Sequence, residues 1–250
     1  MFKKLSWITT FEEQSSLSKK PIISLLIGLI LIDLVIIALN FYNAWVPDEQ
    51  WTEFLALASD DSIGEYFQYL KWFFISAAFI FIAINRSSYS FLAWFLLFLY
   101  LLLDDSLSLH ENIGGQLMNS YQFDTPMGLR MQDLGELLVS AIAGSILLLV
   151  FIVAYIKGSE FFKITTFNML YLFIALVFFG VFFDVIAVMI YGGNPTLAFL
   201  FDVIEDGGEM FVASFMTWYS LLIVTADKRP ISLISMIQNL FKSKMNHKFA

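Results

Sequence analysis

Cysteine is absent from this 250-residue chain and histidine occurs only twice. The first absence excludes disulfide frameworks, thiol nucleophiles, Cys-ligated zinc and iron–sulfur clusters. The second excludes a His-rich metal cluster. Charge is scarce as well. Charged residues make up 14% of the chain, against about 25% in an ordinary soluble domain. The net charge is −8, which excludes a nucleic-acid partner, because neutralising phosphates takes clustered Lys and Arg. No G-x-S-x-G elbow, H-E-x-x-H or P-loop occurs.

What is present is apolar bulk. Hydrophobic residues reach 59%, with Phe at 28 positions. Six stretches, about 21–45, 66–85, 89–110, 131–156, 167–191 and 197–225, approach or exceed the ~20 apolar residues that span a bilayer. The predicted fold class is all-α, a polytopic membrane protein with six transmembrane helices. Pro21, Pro47, Pro126, Pro195 and Pro230 are expected at or beyond helix ends, since proline lacks an N–H and clashes with the preceding turn.

All but Lys71 and Arg130 of the fourteen basic residues fall on one side of this topology. The positive-inside rule makes that side cytoplasmic, so both termini are expected inside a bacterial inner membrane. The expected organisation is a cytoplasmic N-terminus (1–20), a transmembrane pair (21–85) with an acidic outer loop (46–65), a four-helix core (86–225) and a basic cytoplasmic tail (226–250). The first apolar run is too long for a signal-peptide core and reads as a signal anchor. In the tail, Ile234, Ile237, Leu240, Phe241 and Met245 share one helical face. That suits an amphipathic helix on the cytoplasmic leaflet, the alternative being a frayed basic tail.

Two segments match each other. Asp133-Leu134-Gly135-Glu136 opens span four and Asp206-Gly207-Gly208-Glu209 lies in span six, each followed by apolar residues. Asp104-Asp105 and Asp184 lie in the preceding spans, which are followed by Gly114-Gly115 and Gly192-Gly193. Spans 3–4 and 5–6 thus read as two copies of a hairpin, in parallel orientation.

Acids concentrate in the same region. Asp202, Glu205, Asp206 and Glu209 stand at i, i+3, i+4 and i+7, one stripe of a helix. Asp104 and Glu111 share a face, with Asp105 and His110 beside them, and Glu136 and Asp184 lie on neighbouring spans. Ionisable groups in hydrocarbon cost several kcal/mol and normally face the bundle interior with partners. Like charges so placed must share protons or a cation. Asp104, Asp105, His110, Glu111, Glu136, Asp184, Glu205, Asp206 and Glu209 are therefore the candidate metal-site residues. Oxygen ligands with one imidazole and no sulfur suit a divalent cation, namely Ca²⁺, Mg²⁺ or Mn²⁺, with Fe compatible and Zn²⁺ less favoured. The competing reading puts the same acids at the water interface. Asp33, mid-way along span one, pairs structurally with Lys71, or else Lys71 serves the acidic cluster.

At Asp104-Asp105-x4-His110-Glu111 and Glu205-Asp206-x-x-Glu209-Met210 the chain resembles a group of uncharacterised bacterial multi-pass membrane proteins. Their patterns are Asp-Glu-x4-His-Glu and Glu-Glu-x-x-Glu-Met, with a further acid where this chain has Asp184. The resemblance covers about 90–225 and implies no activity, but it suggests that the acids act as a set.

Three functions remain open on the sequence. The leading one is an intramembrane cation or proton site, transporter-like or ion-sensing. The second is a metal-dependent enzyme acting on a lipid or lipid-linked substrate at the outer leaflet, with His110 or a neighbouring carboxylate as general base. The third is a non-catalytic subunit whose acids pair with another membrane protein. Expected partners are the lipid bilayer, a cation or proton, and a homo-oligomer or membrane partner.

Overall fold

The computed structural model describes residues 16–47, 50–118, 131–183, 186 and 195–225. Among them are seven α-helices and no strand. They are α1 (Ser16–Trp45), α2 (Ile63–Asn85), α3 (Leu92–Leu107), α4 (Leu109–Met118), α5 (Met131–Lys157), α6 (Glu160–Val177) and α7 (Pro195–Thr225). Six helical stretches are long and apolar enough to cross a membrane. Arg130, Asp184 and the tail after residue 225 lie outside the described residues.

Two boundaries differ from the hydropathy reading. Span five begins at Glu160, well before the expected residue 167, because Ser159 caps it by accepting from the Phe162 N–H at 3.3 Å. Its polar opening turn dilutes the hydropathy without breaking the helix. Pro21 lies within α1 as its sixth residue, rather than at an end. So near the terminus a proline removes only one intrahelical bond.

α2 is the central helix. It packs on α3 and α7, and α7 packs in turn on α1 and α6. α5 lies outside this group against α4 and α3. The end of the bundle carrying Arg86 is filled by aromatics. Phe79 stacks on Phe91, Trp94 and Phe98 at centroid distances of 6.0, 5.9 and 6.1 Å. The Trp94 indole N–H is satisfied by Thr166 at 3.0 Å. Arg86 donates to the Val224 carbonyl at 2.7 Å, closing the C-terminal turn of α7, where cations are favoured.

The opposite end is polar. Asn43 exchanges two hydrogen bonds with the backbone of Thr52, at 2.9 and 3.0 Å. Asn40 accepts from the Leu57 N–H at 3.0 Å. These amides on α1 pin the connecting loop against the bundle. That loop delivers Asp60, and α2 begins at its end with Ser62 as N-cap.

Between the two ends lies one buried ionic layer. The Lys71 ammonium donates to Asp33 Oδ1 at 2.6 Å and to the Met210 carbonyl at 2.9 Å, and Ser214 donates to Asp33 Oδ2 at 2.6 Å. Lys71 is 1% exposed and Asp33 is fully buried. The structural pairing of these two residues is thus the arrangement found. It ties α1, α2 and α7 together and leaves Lys71 engaged away from the acidic cluster.

Candidate functional site: an acidic cavity between α2, α3 and α7

Ser62 and Glu65 form the start of α2 in a Ser-x-x-Glu arrangement. Ser62 Oγ accepts from the Glu65 N–H at 3.2 Å. The Glu65 carboxylate reaches back to the Asp61 N–H at 2.5 Å, and its other oxygen accepts from the Tyr69 hydroxyl. This is a variant of the capping box, in which the glutamate satisfies orphan donors of the first turn. Both Glu65 oxygens are therefore held, and the carboxylate is fixed in place.

Glu65 is followed at i+3 and i+7 by Gln68 and Trp72, which share its face of α2. The Trp72 indole donates to Asp105 Oδ2 at 2.8 Å, and the Tyr69 oxygen lies 3.1 Å from the Asp105 backbone carbonyl. Asp105, on α3, is thereby drawn towards α2. From the other side α7 brings Asp206 and Glu209. Glu209 reaches its position because Gly180, in the π-helical turn Phe178–Phe183 that continues α6, leaves room for its carboxylate. A side chain at Gly180 would collide with Glu209 Oε1. Gly208 admits the Phe179 ring in the same way.

The result is a cavity of about 210 Å³ whose polar wall includes Asp60, Glu65, Gln68, Asp105, Asp206 and Glu209. Among the described residues no basic side chain lines it. Gln68 is 7% exposed, and neither its amide oxygen nor its amide nitrogen has a hydrogen-bond partner. A buried amide with both polar atoms unmatched is costly, roughly 1–3 kcal/mol per group, unless something polar meets it. A sphere of this volume is about 7 Å across. Unit charges ~7 Å apart repel by roughly 2 kcal/mol at an effective dielectric of ~20. Five carboxylates around one such space therefore favour uptake of positive charge.

The sequence-derived candidates divide into groups. Asp105, Asp206 and Glu209 line the cavity. Glu205, one residue before Asp206, is half-buried and does not line it. Asp104, His110, Glu111 and Glu136 belong to the α3–α4–α5 corner. Ser108 adopts the left-handed conformation (φ 46°) and ends α3. Across that break, Asp104 Oδ1 accepts from the His110 backbone N–H at 3.0 Å, and Oδ2 meets His110 Nδ1 at 3.0 Å. Asp104 thus caps α4 and orients the imidazole. Its hydrogen bond pushes the His110 pKa above the ordinary value. Burial, then the charge of Asp60, pushes Glu111 up as well. Glu136 accepts from Gln132 at 2.8 Å on an exposed face of α5. Gly135 beside it makes backbone contact with Gly114, so that α4 and α5 nearly touch. Asp184 lies outside the described residues.

Among the described residues no three acidic or histidine side chains form a ready group of metal ligands. The cavity acids surround a space instead of meeting at a point. Asp60, Glu65 and Gln68 were not among the candidates read from sequence. The Glu65, Gln68, Trp72 stripe following an acidic loop is the signal that points to them.

No curated protein and no solved structure matches the chain. A family model does match, over residues 28–225, from within α1 to the last residue of α7. The chain belongs to that family, a domain of unknown function, DUF8692.

Proposed function

We propose that this multi-pass membrane protein binds a cation, or exchanges protons, in the acidic cavity between α2, α3 and α7, serving an ion-sensing or transporter-like role. The observation that carries the reading is one wall. Asp60, Glu65, Asp105, Asp206 and Glu209 share a cavity with no basic lining residue among those described and with a buried, unmatched Gln68. Among the described residues, the nearby cation Lys71 is neutralised by Asp33. A bound cation or shared protons would relieve the repulsion among these acids.

The basic-residue bias supports placing both termini in the cytoplasm of a bacterium and the cavity at the outer face. Below the cavity, the Lys71–Asp33–Ser214 layer and the stacked aromatics fill the bundle. A cation entering from outside meets a closed floor, which favours binding with a conformational response over an open channel. A metal-dependent enzyme would need its base facing the bound ion. His110 faces Asp104 instead and does not line the cavity.

The test is calorimetric titration of the purified full chain in lipid nanodiscs with Ca²⁺, Mg²⁺ and Mn²⁺, at neutral and mildly acidic pH. Saturable binding that weakens on acidification, with proton release on binding, is expected. Absence of both cation binding and proton uptake by the cavity acids would leave the acids without the proposed role.

A further inference from the structure

The end of the bundle opposite the acidic cavity carries a second recess, an open cleft between α3 and α5. α5 packs there on α3 and on the short 3₁₀ turn Tyr89–Phe91, and none of its most apolar stretch is buried. Leu92, Leu149, Val150 and Val153 give the cleft an apolar trough. Leu149 stands eight residues before Lys157, about 12 Å along α5. Half of a hydrocarbon core ~30 Å thick is of similar depth.

At the helix ends the lining turns polar. Ser87, Ser88 and Ser90 come from the turn between α2 and α3, Lys157 is the last residue of α5, and Ser159 caps α6. Among the described residues, no hydrogen bond or ion pair engages the side chains of Ser87, Ser88, Ser90 or Lys157. Ser159 accepts from the Phe162 N–H and keeps its own hydroxyl hydrogen to donate. Glu160 is the one acid between residues 149 and 163, and it does not line the cleft. Tyr89, 70% exposed, also lines it, and exposed tyrosines favour the headgroup level of a membrane.

Hydroxyl donors and an unpaired ammonium above an apolar trough match the two halves of a phospholipid. Its phosphate accepts from the hydroxyls and pairs with the ammonium. Its acyl chain covers the apolar lining. A choline or ethanolamine headgroup brings a cation of its own to the phosphate, whereas a glycerol headgroup leaves the lipid with a net negative charge for Lys157 to meet. We infer that this cleft is a binding site for an anionic phospholipid, its phosphate held by Lys157 and the serines and one acyl chain lying along α5. The site is separate from the acidic cavity and does not depend on cation binding there.

Native mass spectrometry of the full chain in detergent micelles, titrated with phosphatidylglycerol or with phosphatidylcholine of the same acyl chains, tests it. Retention of one phosphatidylglycerol, bound about fivefold more tightly than phosphatidylcholine, is expected. Lys157→Gln should remove that preference. Val153→Trp, which fills the trough from an exposed position, should weaken both lipids. Lys163 is a cation at the same end, but it lies over the Tyr155 ring at 5.6 Å and off the cleft. Lys163→Gln should therefore stay within about twofold of wild type. Equal affinity of wild type for the two lipids would overturn the inference. Equal losses in Lys157→Gln and Lys163→Gln would mean diffuse attraction to a basic surface and overturn it as well. Displacement of phosphatidylglycerol by glycerophosphoglycerol, the headgroup without its chains, as readily as by the lipid would assign the cleft to a soluble phosphate ester instead. The two-lipid comparison and the displacement use wild type alone, so a variant that fails to fold does not affect them.

Discussion

The Asp-x-Gly-Glu segments of α5 and α7 share a pattern but not an environment. In α5, Gly135 lies against the backbone of Gly114, and Glu136 turns to Gln132 on an exposed face. None of the most apolar window of that span is buried. In α7 the corresponding window is 67% buried, Gly208 receives Phe179, and Glu209 sits against Gly180 on the cavity wall. In both helices a glycine permits close approach. What approaches differs: a peripheral helix in one case, and the wall of a cavity in the other. The short motif specifies packing, and the neighbouring helices decide whether the glutamate that follows it has a chemical role.

The largest expected effect breaks the anchoring of α7, which has no counterpart on α5. Lys71→Met leaves Asp33 buried without its cation. Loss of one partner of such a pair costs about 3–5 kcal/mol. Chemical denaturation in detergent micelles should show a loss of that order, with Ser214→Ala losing only about 1–2 kcal/mol. Gln132→Ala, which removes the Glu136 contact on α5, should change stability by less than about 0.5 kcal/mol. Comparable losses from Lys71→Met and Gln132→Ala would mean that the two helices are anchored alike.

Next come the glycines. Gly135→Ala drives a methyl group into the backbone of Gly114, which cannot rotate away. Separation of α4 from α5, read as a longer spin-label distance, should accompany a stability loss of about 1–3 kcal/mol. Gly180→Ala meets the far end of Glu209, a flexible side chain. Its effect should fall on cation affinity more than on stability. The reverse assignment would contradict the division drawn between the two motifs.

The smallest effect concerns the α3–α4 corner. The Asp104 hydrogen bond raises the pKa of His110 in the folded state above its unfolded value of about 6.5. The stabilisation is therefore complete below that unfolded value. It is lost as pH rises through the folded pKa. Nuclear magnetic resonance titration of the His110 ring should show the elevated value, and Asp104→Asn should return it towards normal. An unchanged titration in Asp104→Asn would remove Asp104 as its cause.

Much of this was legible beforehand. Hydropathy located six spans, and the mid-span charges at Asp33 and Lys71 pointed to each other because neither could be solvated. Of the stripe Asp202, Glu205, Asp206, Glu209, only the last two members line the acidic cavity. Asp202 lies about 10 Å away along the helix and lines a separate cavity with Asn40 and Asn43. Glu65 and Gln68 escaped notice because one was counted with a loop and the other carries no charge. The break at Ser108 was invisible in an apolar run, since a single left-handed residue leaves hydropathy untouched. It is this break that turns Asp104 from a candidate ligand into a helix cap.

The central claim is that position in the bundle, and not the shared motif, makes Glu209 a cation-binding residue. Mn²⁺ affinity measured side by side for Glu209→Gln and Glu136→Gln, in the full chain in nanodiscs, addresses it most directly. The expected result is a loss of about tenfold or more in Glu209→Gln, roughly 1.4 kcal/mol or greater, with Glu136→Gln within twofold of wild type. Equal losses in the two variants, or none in Glu209→Gln, would contradict it.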